Sequence, residues 1–547
     1  MSKLLSGLLT AVIVSAGSAA AAPRAPKAPQ ADKEAIRAHL AFLADDLLEG
    51  RATGTRGFDI AANYVASQFT QYHLVPKGDK GGYLQGFALR STTQVPASAL
   101  VEIASASGVV QMSATEDFVL ALDGGVAPLS APRPLVFVGY GIRAERFKHD
   151  DFAGLDVKGK IVVNLQGYPG TFPGEEGAHF GSQREKGRLA AQLGAAGMVT
   201  LWTPLSEANF PFKQKVLASG HFSNSIDWLN PAGKPGGQLA GMQDTVYLGL
   251  PGARKLFPHA DVQLDDVYAA AAANKPLPRV HLKTTMRIAH RSESADIASS
   301  NVVGMIEGSD PLLKNEYVVF TAHLDHLGQS KEKIGDNIYN GAMDNASGVA
   351  TLIETARMFS QSARKPRRSI LFIALTGEEK GLVGSGYFAA NPSVPVGAIV
   401  ADINLDMPLL TFDFKNVMAF GSEHSSLKGN AERALKALGL GLIPDPWPAK
   451  GLFVRSDHYN FVRQGIPSIF LATGMASFNK DEDAAKLWDE FREKRYHQPS
   501  DDLSQPINYA AAARFATVNY NIGRDIADTP ARPTWNKGNF FGDTFRK

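Results

Sequence analysis

Val318-Val319-Phe320-Thr321-Ala322-His323-Leu324-Asp325 is the stretch that decides the fold. Val318 to Ala322 is a continuous apolar run that ends on a histidine. A short run without polar alternation reads as a strand buried on both faces. The same texture repeats outward from it, with a helical pattern between. Ser347 to Phe359 carries Val349, Leu352, Ile353, Ala356 and Phe359 at helical spacing. Ile370 to Leu375, Ala398 to Leu405 and Pro467 to Leu471 are further apolar strands. This alternation predicts an α/β fold, a mixed and mostly parallel sheet with helices on both faces. Ligands of such sheets bind beyond the carboxyl ends of the strands. Three of those ends carry an imidazole or acids: His323, the pair Glu378-Glu379, and Asp406.

Five residues form a candidate metal-ligand set. They are His323, Asp344 in Gly341-Ala342-Met343-Asp344-Asn345-Ala346-Ser347-Gly348, Glu379 in Thr376-Gly377-Glu378-Glu379, Asp406 in Asn404-Leu405-Asp406-Met407, and His497 in Tyr496-His497-Gln498. Two imidazoles and three carboxylates suffice for two borderline divalent cations that share one carboxylate. Zinc is the first expectation, because it takes N and O ligands and leaves a position open for water. Asp344, crowded by small residues, is the candidate bridge; the alternative is a plain N-cap for the following helix, with Asn345 or Ser347 helping. Glu378 is not needed as a ligand and is free to serve as a base. The alternative for the Glu pair is a solvated helix start, against which Gly381, Gly384 and Gly386 speak. Asp325 stands where its carboxylate can accept the other ring N–H of His323 and fix its tautomer. His326 reads as a wall of the site rather than a ligand. Asp457 and His458 read as pocket-shaping residues or as part of a solvated loop.

The rest of the chain bounds this reading. Lys3, the apolar run Leu4 to Ala16 and the alanines before Pro23 read as a secretory signal peptide, cleaved after Ala20 or Ala21. The run is shorter than the ~20 residues a bilayer span needs, so no membrane association is expected after cleavage, and a periplasmic or secreted protein is. There is no cysteine, which excludes disulfides, thiolate ligands and a cysteine nucleophile. The 56 basic and 54 acidic residues nearly cancel and form no basic tract, so nucleic acid is not an expected partner. At 547 residues, two domains are the default. A helix is expected from Asp32, as its cap, to about Leu48, and a second with Ile60, Tyr64, Val65 and Phe69 on one face. The Gly-, Pro- and Ala-rich middle, with short strands at Leu135 to Val138 and Ile161 to Leu165, reads as a small β-rich insert without a ligand cluster.

Together these strings resemble the M28 family of zinc aminopeptidases. The likeness is carried by His323-Leu324-Asp325, Gly341 to Gly348, Gly377-Glu378-Glu379-Lys380-Gly381-Leu382, Leu405-Asp406-Met407, Ser456-Asp457-His458 and Tyr496-His497. Leu48-Glu49-Gly50-Arg51 with Gly54-Thr55 is similar to the region that precedes the catalytic domain in that family. The middle resembles a protease-associated (PA) domain through Lys158 to Val163 and Gly194 to Gly197, more loosely. The resemblance implies a zinc-exopeptidase-like fold. It implies one zinc on His323, Asp344 and Asp406 and another on Asp344, Glu379 and His497, with Glu378 as general base and Tyr496 helping to stabilise the oxyanion. It implies peptide substrates with a free N-terminus. A carboxypeptidase, a dipeptidase or a non-catalytic peptide-binding protein are the alternatives; the oligomeric state stays open. The organisation expected is a signal peptide at 1–21, a leader at 22–31, the helical start of the catalytic domain at 32–95, a PA-like insert at 96–290, the catalytic domain at 291–528 and a tail at 529–547. Trp535, Phe540, Phe541 and Phe545 of that tail are available to dock on the domain or on a partner.

Overall fold

Strands Ser369–Leu375, Tyr317–His323, Ile399–Leu405 and Ser468–Thr473 lie parallel, in that order, at the centre of a ten-stranded sheet. All but Tyr317 of their residues are buried. Burial on both faces is why the sequence shows apolar runs and no alternation. The computed structural model describes residues 29–95, 97–121, 129–221, 224–237, 242, 244–330 and 335–546. The expected signal peptide and the leader up to residue 28 lie outside them. No helix among the described residues is long and apolar enough to cross a membrane.

Antiparallel strands flank the parallel centre. On one side come Ser292–Ile306, Leu84–Gln94 and Asn224–Trp228. On the other come Asn416–Phe420, antiparallel to Ser468–Thr473, and then Gly441–Ile443. Helices cover both faces. Ser347–Ser360, Tyr509–Asp528, Lys33–Leu43 and Arg56–Gln71 enclose the larger core. Phe388 and Phe461, on Val383–Ala390 and His458–Val462, close the smaller core against Val303, Val319, Leu371 and Ile373.

Two N-terminal expectations shift. Asp32 does cap the first helix, accepting from the Glu34 and Ala35 N–H groups at 2.9 and 3.3 Å. That helix stops at Leu43, not Leu48, because the chain turns at Asp46–Arg51, where Glu49, Gly50 and Arg51 have φ of 52°, 70° and 52°. Gly50 is needed there: a Cβ would sit 2.5 Å from the Gly328 carbonyl oxygen. In the second helix the buried face is Phe58, Ala61, Ala62, Val65 and Phe69. Ile60 is 36% exposed, so the face is rotated toward the series with an aromatic ring at each end.

The long pair Leu84–Gln94 and Ser292–Ile306 stays in register from Leu84↔Val302 to Gln94↔Ser292 and carries the chain out of the main sheet and back. The residues between build a second, eight-stranded sheet from Leu100–Ser105 to Val280–Ala289. This insert is mixed α/β rather than β-rich. Helices Gly174–Gly181, Gln183–Gln192 and Leu264–Ala272 belong to it. The sequence reads Lys186 to Ala191 as a helix leading into a strand at Gly194 to Val199, which matches Gln183–Gln192; the glycines and alanines of the other two give little apolar contrast for periodicity to detect. Within 96–290, strand Asn224–Trp228 belongs to the main sheet, where it pairs with Leu84–Gln94. There Ile226 packs with Phe87, Leu89 and Val383 and covers an edge the main sheet would otherwise expose. The tail docks on its own chain: Phe540 and Phe541 are buried beside His179, His424, Phe453 and Tyr459.

Candidate metal centre

His323 ends its strand, Asp406 follows the next one directly, and Glu378 and Glu379 lie just past a third. Asp344 occupies the turn that opens helix Ser347–Ser360, and His497 follows helix Ala484–Lys494 with φ 57°. The crossover topology thus brings six residues spread over some 170 positions to one end of the sheet.

The two carboxylate oxygens of Asp344 face different histidines. Oδ1 is 3.2 Å from Nε2 of His323, and Oδ2 is 3.3 Å from Nε2 of His497. Asp406 Oδ1 is also 3.2 Å from His323 Nε2, and Glu379 Oε2 is 3.2 Å from His497 Nε2. Two clusters therefore meet at Asp344: His323 with Asp406, and His497 with Glu379. Asp344 does not act as a side-chain cap.

His326 is buried, with Nδ1 2.7 Å from Glu379 Oε1 and its ring 5.9 Å from that of His497. Glu379 thus stands between two imidazoles, so His326 is more than a wall. Glu378 is half-buried beside this group and shares the His323 and Glu379 neighbourhood. Tyr496 stacks on His497 with ring centroids 3.9 Å apart.

Asp325 does not orient His323 through its carboxylate. His323 Nδ1 donates to the main-chain oxygen of Asp325 at 3.1 Å, leaving Nε2 as the lone-pair face toward Asp344 and Asp406. The Asp325 carboxylate instead accepts from the Glu378 N–H at 3.1 Å and from Thr53 Oγ1 at 3.1 Å. It ties the Glu378-Glu379 turn to the N-terminal segment. The side chain is buried completely, so two donors stabilise a group that water does not reach.

The ligand carboxylates are themselves held. Ser456 Oγ donates to Asp406 Oδ2 at 2.6 Å and accepts from Asn404 Nδ2 at 2.8 Å. Asn345 donates to the Leu405 carbonyl at 2.8 Å and accepts from the Gly348 N–H at 3.1 Å, locking the Asp344 turn against the Asp406 strand. Asp457 is buried beside Glu378, while His458 donates from Nε2 to the Phe453 carbonyl at 2.6 Å and belongs to the wall. Burial pulls His458 down to about 3, so it stays neutral.

Sequence reasoning missed two supports. The Asp501 carboxylate accepts the main-chain N–H groups of Met343 and Asp344, each at 2.9 Å. Its place four residues after His497 was the available signal. Arg51, quoted only as part of a motif, is 1% exposed. Its guanidinium donates to the carbonyls of Leu324, Leu43, Asn340 and Gly341. It staples the segment after the His323 strand to the segment before Asp344.

The electrostatics suit cations. Burial would lower His323, but Asp406, Asp344 and Glu378 overcome it and push it well up. Burial would likewise lower His497, and Glu379 and Asp344 push it well up. Burial and Glu379 would raise Asp344, yet its close contacts with the imidazoles of His323 and His497 bring it to about 2. Burial raises Glu378 well above the carboxylate range, His323 opposes this, and Asp406, Glu379 and Asp457 add to it. Four carboxylates crowded here repel one another unless positive charge lies between them. Glu379 meets His326 through Oε1 at 2.7 Å and His497 through Oε2 at 3.2 Å, so each of its oxygens faces an imidazole. The donor set of imidazole nitrogens and carboxylate oxygens fits zinc-like cations.

Residues 301–522 match peptidase family M28. Over 251 residues the chain is 30% identical to a probable zinc metalloprotease of Pyrenophora teres f. teres, covering 43% of this chain and 50% of that one. Over 259 residues it is 27% identical to leupeptin-inactivating enzyme 1 of Streptomyces exfoliatus, covering 44% and 51%. The chain spans about half the length of the curated relatives it matches. The fold is similar to that of an aminopeptidase from Aneurinibacillus sp. strain AM-1, with TM-score 0.53, 20% identity, and 92% of this chain and 95% of that one covered.

Proposed function

We propose that this chain, a member of peptidase family M28 through residues 301–522, is an exported aminopeptidase that removes N-terminal residues from peptides with two zinc ions. The observation that carries the reading is the split of Asp344, one oxygen toward His323 and the other toward His497. A carboxylate so shared suits two cations a few ångströms apart. His323, Asp344 and Asp406 would hold one, and Asp344, Glu379 and His497 the other. The Pyrenophora relative, a probable zinc metalloprotease, supports zinc. When bound, the ions supply Lewis acidity toward the scissile carbonyl and toward water.

The protein's own groups do the rest. Glu378 takes a proton from the attacking water on a carboxylate oxygen and delivers it to the departing amine. The Asp325 carboxylate fixes the backbone from which Glu378 projects. Tyr496, stacked on His497, offers its O–H to the oxygen on which negative charge grows. Buried acids around the ligands provide a counter-charge for a substrate ammonium, which favours exo over endo cleavage. The insert is read as a PA-like module; its contact with the catalytic part through His179 and Tyr459 supports a role in shaping access. Export rests on Lys3 and the apolar run Leu4 to Ala16.

The test is mass spectrometry of a peptide set incubated with zinc-loaded protein, each peptide supplied with a free and an acetylated N-terminus. Stepwise loss of N-terminal residues from the free forms alone is expected. Cleavage of both forms, or release from the carboxyl end, would replace the aminopeptidase reading with another exopeptidase.

A further inference from the structure

His326 is buried in the metal centre but has no part in the proposed ligand set. Its ring fits the space left by Gly341, where a Cβ would sit 2.6 Å from the ring carbons Cγ and Cδ2. Its Nδ1 is 2.7 Å from Glu379 Oε1. With Asp344 and Glu379 it forms a compact group whose potential ligand atoms lie within 4.8 Å of one another.

The surroundings decide where the ring carries its hydrogen. A carboxylate oxygen offers only lone pairs, and a nitrogen lone pair 2.7 Å away would repel it. Nδ1 therefore bears the N–H. Nε2 is buried with no hydrogen-bond partner among the described residues. In the neutral ring this tautomer leaves Nε2 a lone pair and no hydrogen, so no donor is stranded away from water. The opposite tautomer would set a lone pair against Oε1 and bury an N–H without an acceptor. The same reasoning separates His326 from the ligands. A metal-bound histidine almost always donates its other ring N–H to a nearby acceptor, as His323 does to the Asp325 main-chain oxygen at 3.1 Å. If Nδ1 of His326 held an ion, its Nε2–H would find no acceptor.

The two oxygens of Glu379 thus have different tasks. Oε2 lies 3.2 Å from Nε2 of His497, a proposed ligand of the same ion, and Oε1 faces His326. We infer that His326 is a positioning residue: its Nδ1–H holds Oε1, aims Oε2 at the second ion and keeps Glu379 a one-oxygen ligand. The inference rests on the proposed function. Asp344 Oδ2, Glu379 Oε2 and His497 Nε2 are then the three protein atoms of that site. Three protein ligands beside an open position is the pattern of catalytic zinc. A Glu379 free to turn both oxygens inward would fill the position that water or substrate needs. The four-membered chelate ring so formed is strained and does not make good the lost aim.

The experiment titrates the full-length protein with zinc against a competing chelator in three variants. His326→Leu fills the space without an N–H. His326→Asn is smaller but puts an amide N–H where Nδ1 stands. His326→Gln carries its amide nearer to the place of Nε2. In His326→Leu one of the two ions should bind roughly 10- to 100-fold more weakly, the scale for groups that orient ligands, with the other unchanged. His326→Asn should recover most of that loss. His326→Gln should follow His326→Leu, and it serves in its place if the leucine variant does not fold. The order separates hydrogen bonding from packing, because packing alone favours leucine over the smaller asparagine. X-ray absorption at two zinc per chain should show a higher mean coordination number in His326→Leu than in the wild type. Wild-type affinity in the leucine and glutamine variants would overturn the inference. So would a greater loss in asparagine than in leucine, equal weakening of both ions, or an unchanged coordination number. A wild type that binds fewer than two zinc ions would instead overturn the two-ion reading itself.

Discussion

Asp501 holds Asp344 by its backbone, its Oδ2 accepting the Asp344 N–H at 2.9 Å. It also takes the Met343 N–H at 2.9 Å, while its own main-chain oxygen accepts from the Ala342 N–H at 2.9 Å. The turn that aims the proposed bridge is therefore fastened from a segment more than 150 residues away. Groups that orient ligands in this way typically matter 10- to 100-fold for metal affinity. Asp501→Asn puts an amide in place of an acceptor-only group that serves two N–H donors. Titration with zinc against a competing chelator should show affinity lowered by roughly that factor, with the fold retained by circular dichroism. Wild-type affinity would mean that the turn is held by Asn345 alone.

Asp344 itself makes the sharpest test of a shared site. If one carboxylate serves both ions, Asp344→Ala loses both, and elemental analysis after gel filtration should fall from two zinc per chain toward none. A variant that keeps one ion would assign Asp344 to a single site. One that keeps two would remove the bridge altogether.

Much of this centre was legible because ligands at strand ends are a local signal. An apolar run that stops on His323 or Asp406 states both the strand and the residue that emerges from it. Long-range supports carry no such mark. Arg51 looks like any surface arginine in a Gly-rich turn, and only the folded chain shows four carbonyls converging on it. Asp325 was read for the right neighbourhood and the wrong bond. A carboxylate two residues from a histidine can reach its ring, but the main-chain oxygen of the same residue lies closer and frees the side chain for Glu378. Helices Gly174–Gly181 and Leu264–Ala272 of the insert were hidden by their small residues, while Gln183–Gln192 was legible through Lys186 to Ala191. The strand Asn224–Trp228 was hidden because its partner lies some 130 positions earlier.

Glu378 stands beside ligand Glu379, so a variant can separate chemistry from metal binding. Glu378→Gln keeps the shape and the hydrogen-bonding reach but cannot take the proton. Positioned general bases contribute roughly 10²–10⁴-fold. A fall in kcat of that order, with two zinc ions still bound, is the expected result. Wild-type rates would move the base role to another group.

Arg51 is a stability prediction as well as a positional one. Burial pulls its pKa to about 10, against Asp325, Asp501, Asp344 and Glu379, and it remains charged at neutral pH. Removing the guanidinium in Arg51→Met leaves buried carbonyls of Leu324, Asn340 and Gly341 without their donor. Each unsatisfied group costs about 1–3 kcal/mol. Chemical denaturation should show a loss of at least about 3 kcal/mol. Arg51→Lys should lose less, since one ammonium reaches some but not all of the acceptors.

His179 sets a pH dependence at the junction of insert, catalytic part and tail. It is hydrogen-bonded to the Tyr459 hydroxyl and lies against the rings of Phe540 and Phe545. Burial, aided by Arg463 and Arg188 and opposed by Glu185, lowers its pKa from 6.5 to about 4. A folded-state pKa below the unfolded value means that the unfolded chain binds the extra proton first. The stabilising contribution is then complete above the unfolded pKa of 6.5 and is lost as pH falls toward 4. Between pH 7 and pH 5 this group alone accounts for about 2 kcal/mol. His179→Gln has no proton to gain. Its melting temperature should start lower at pH 7, where the buried ring contacts are lost, and then decline less than that of the wild type between pH 7 and pH 5. Parallel declines in the two proteins would mean that other buried histidines, His39 first among them, carry the acid sensitivity.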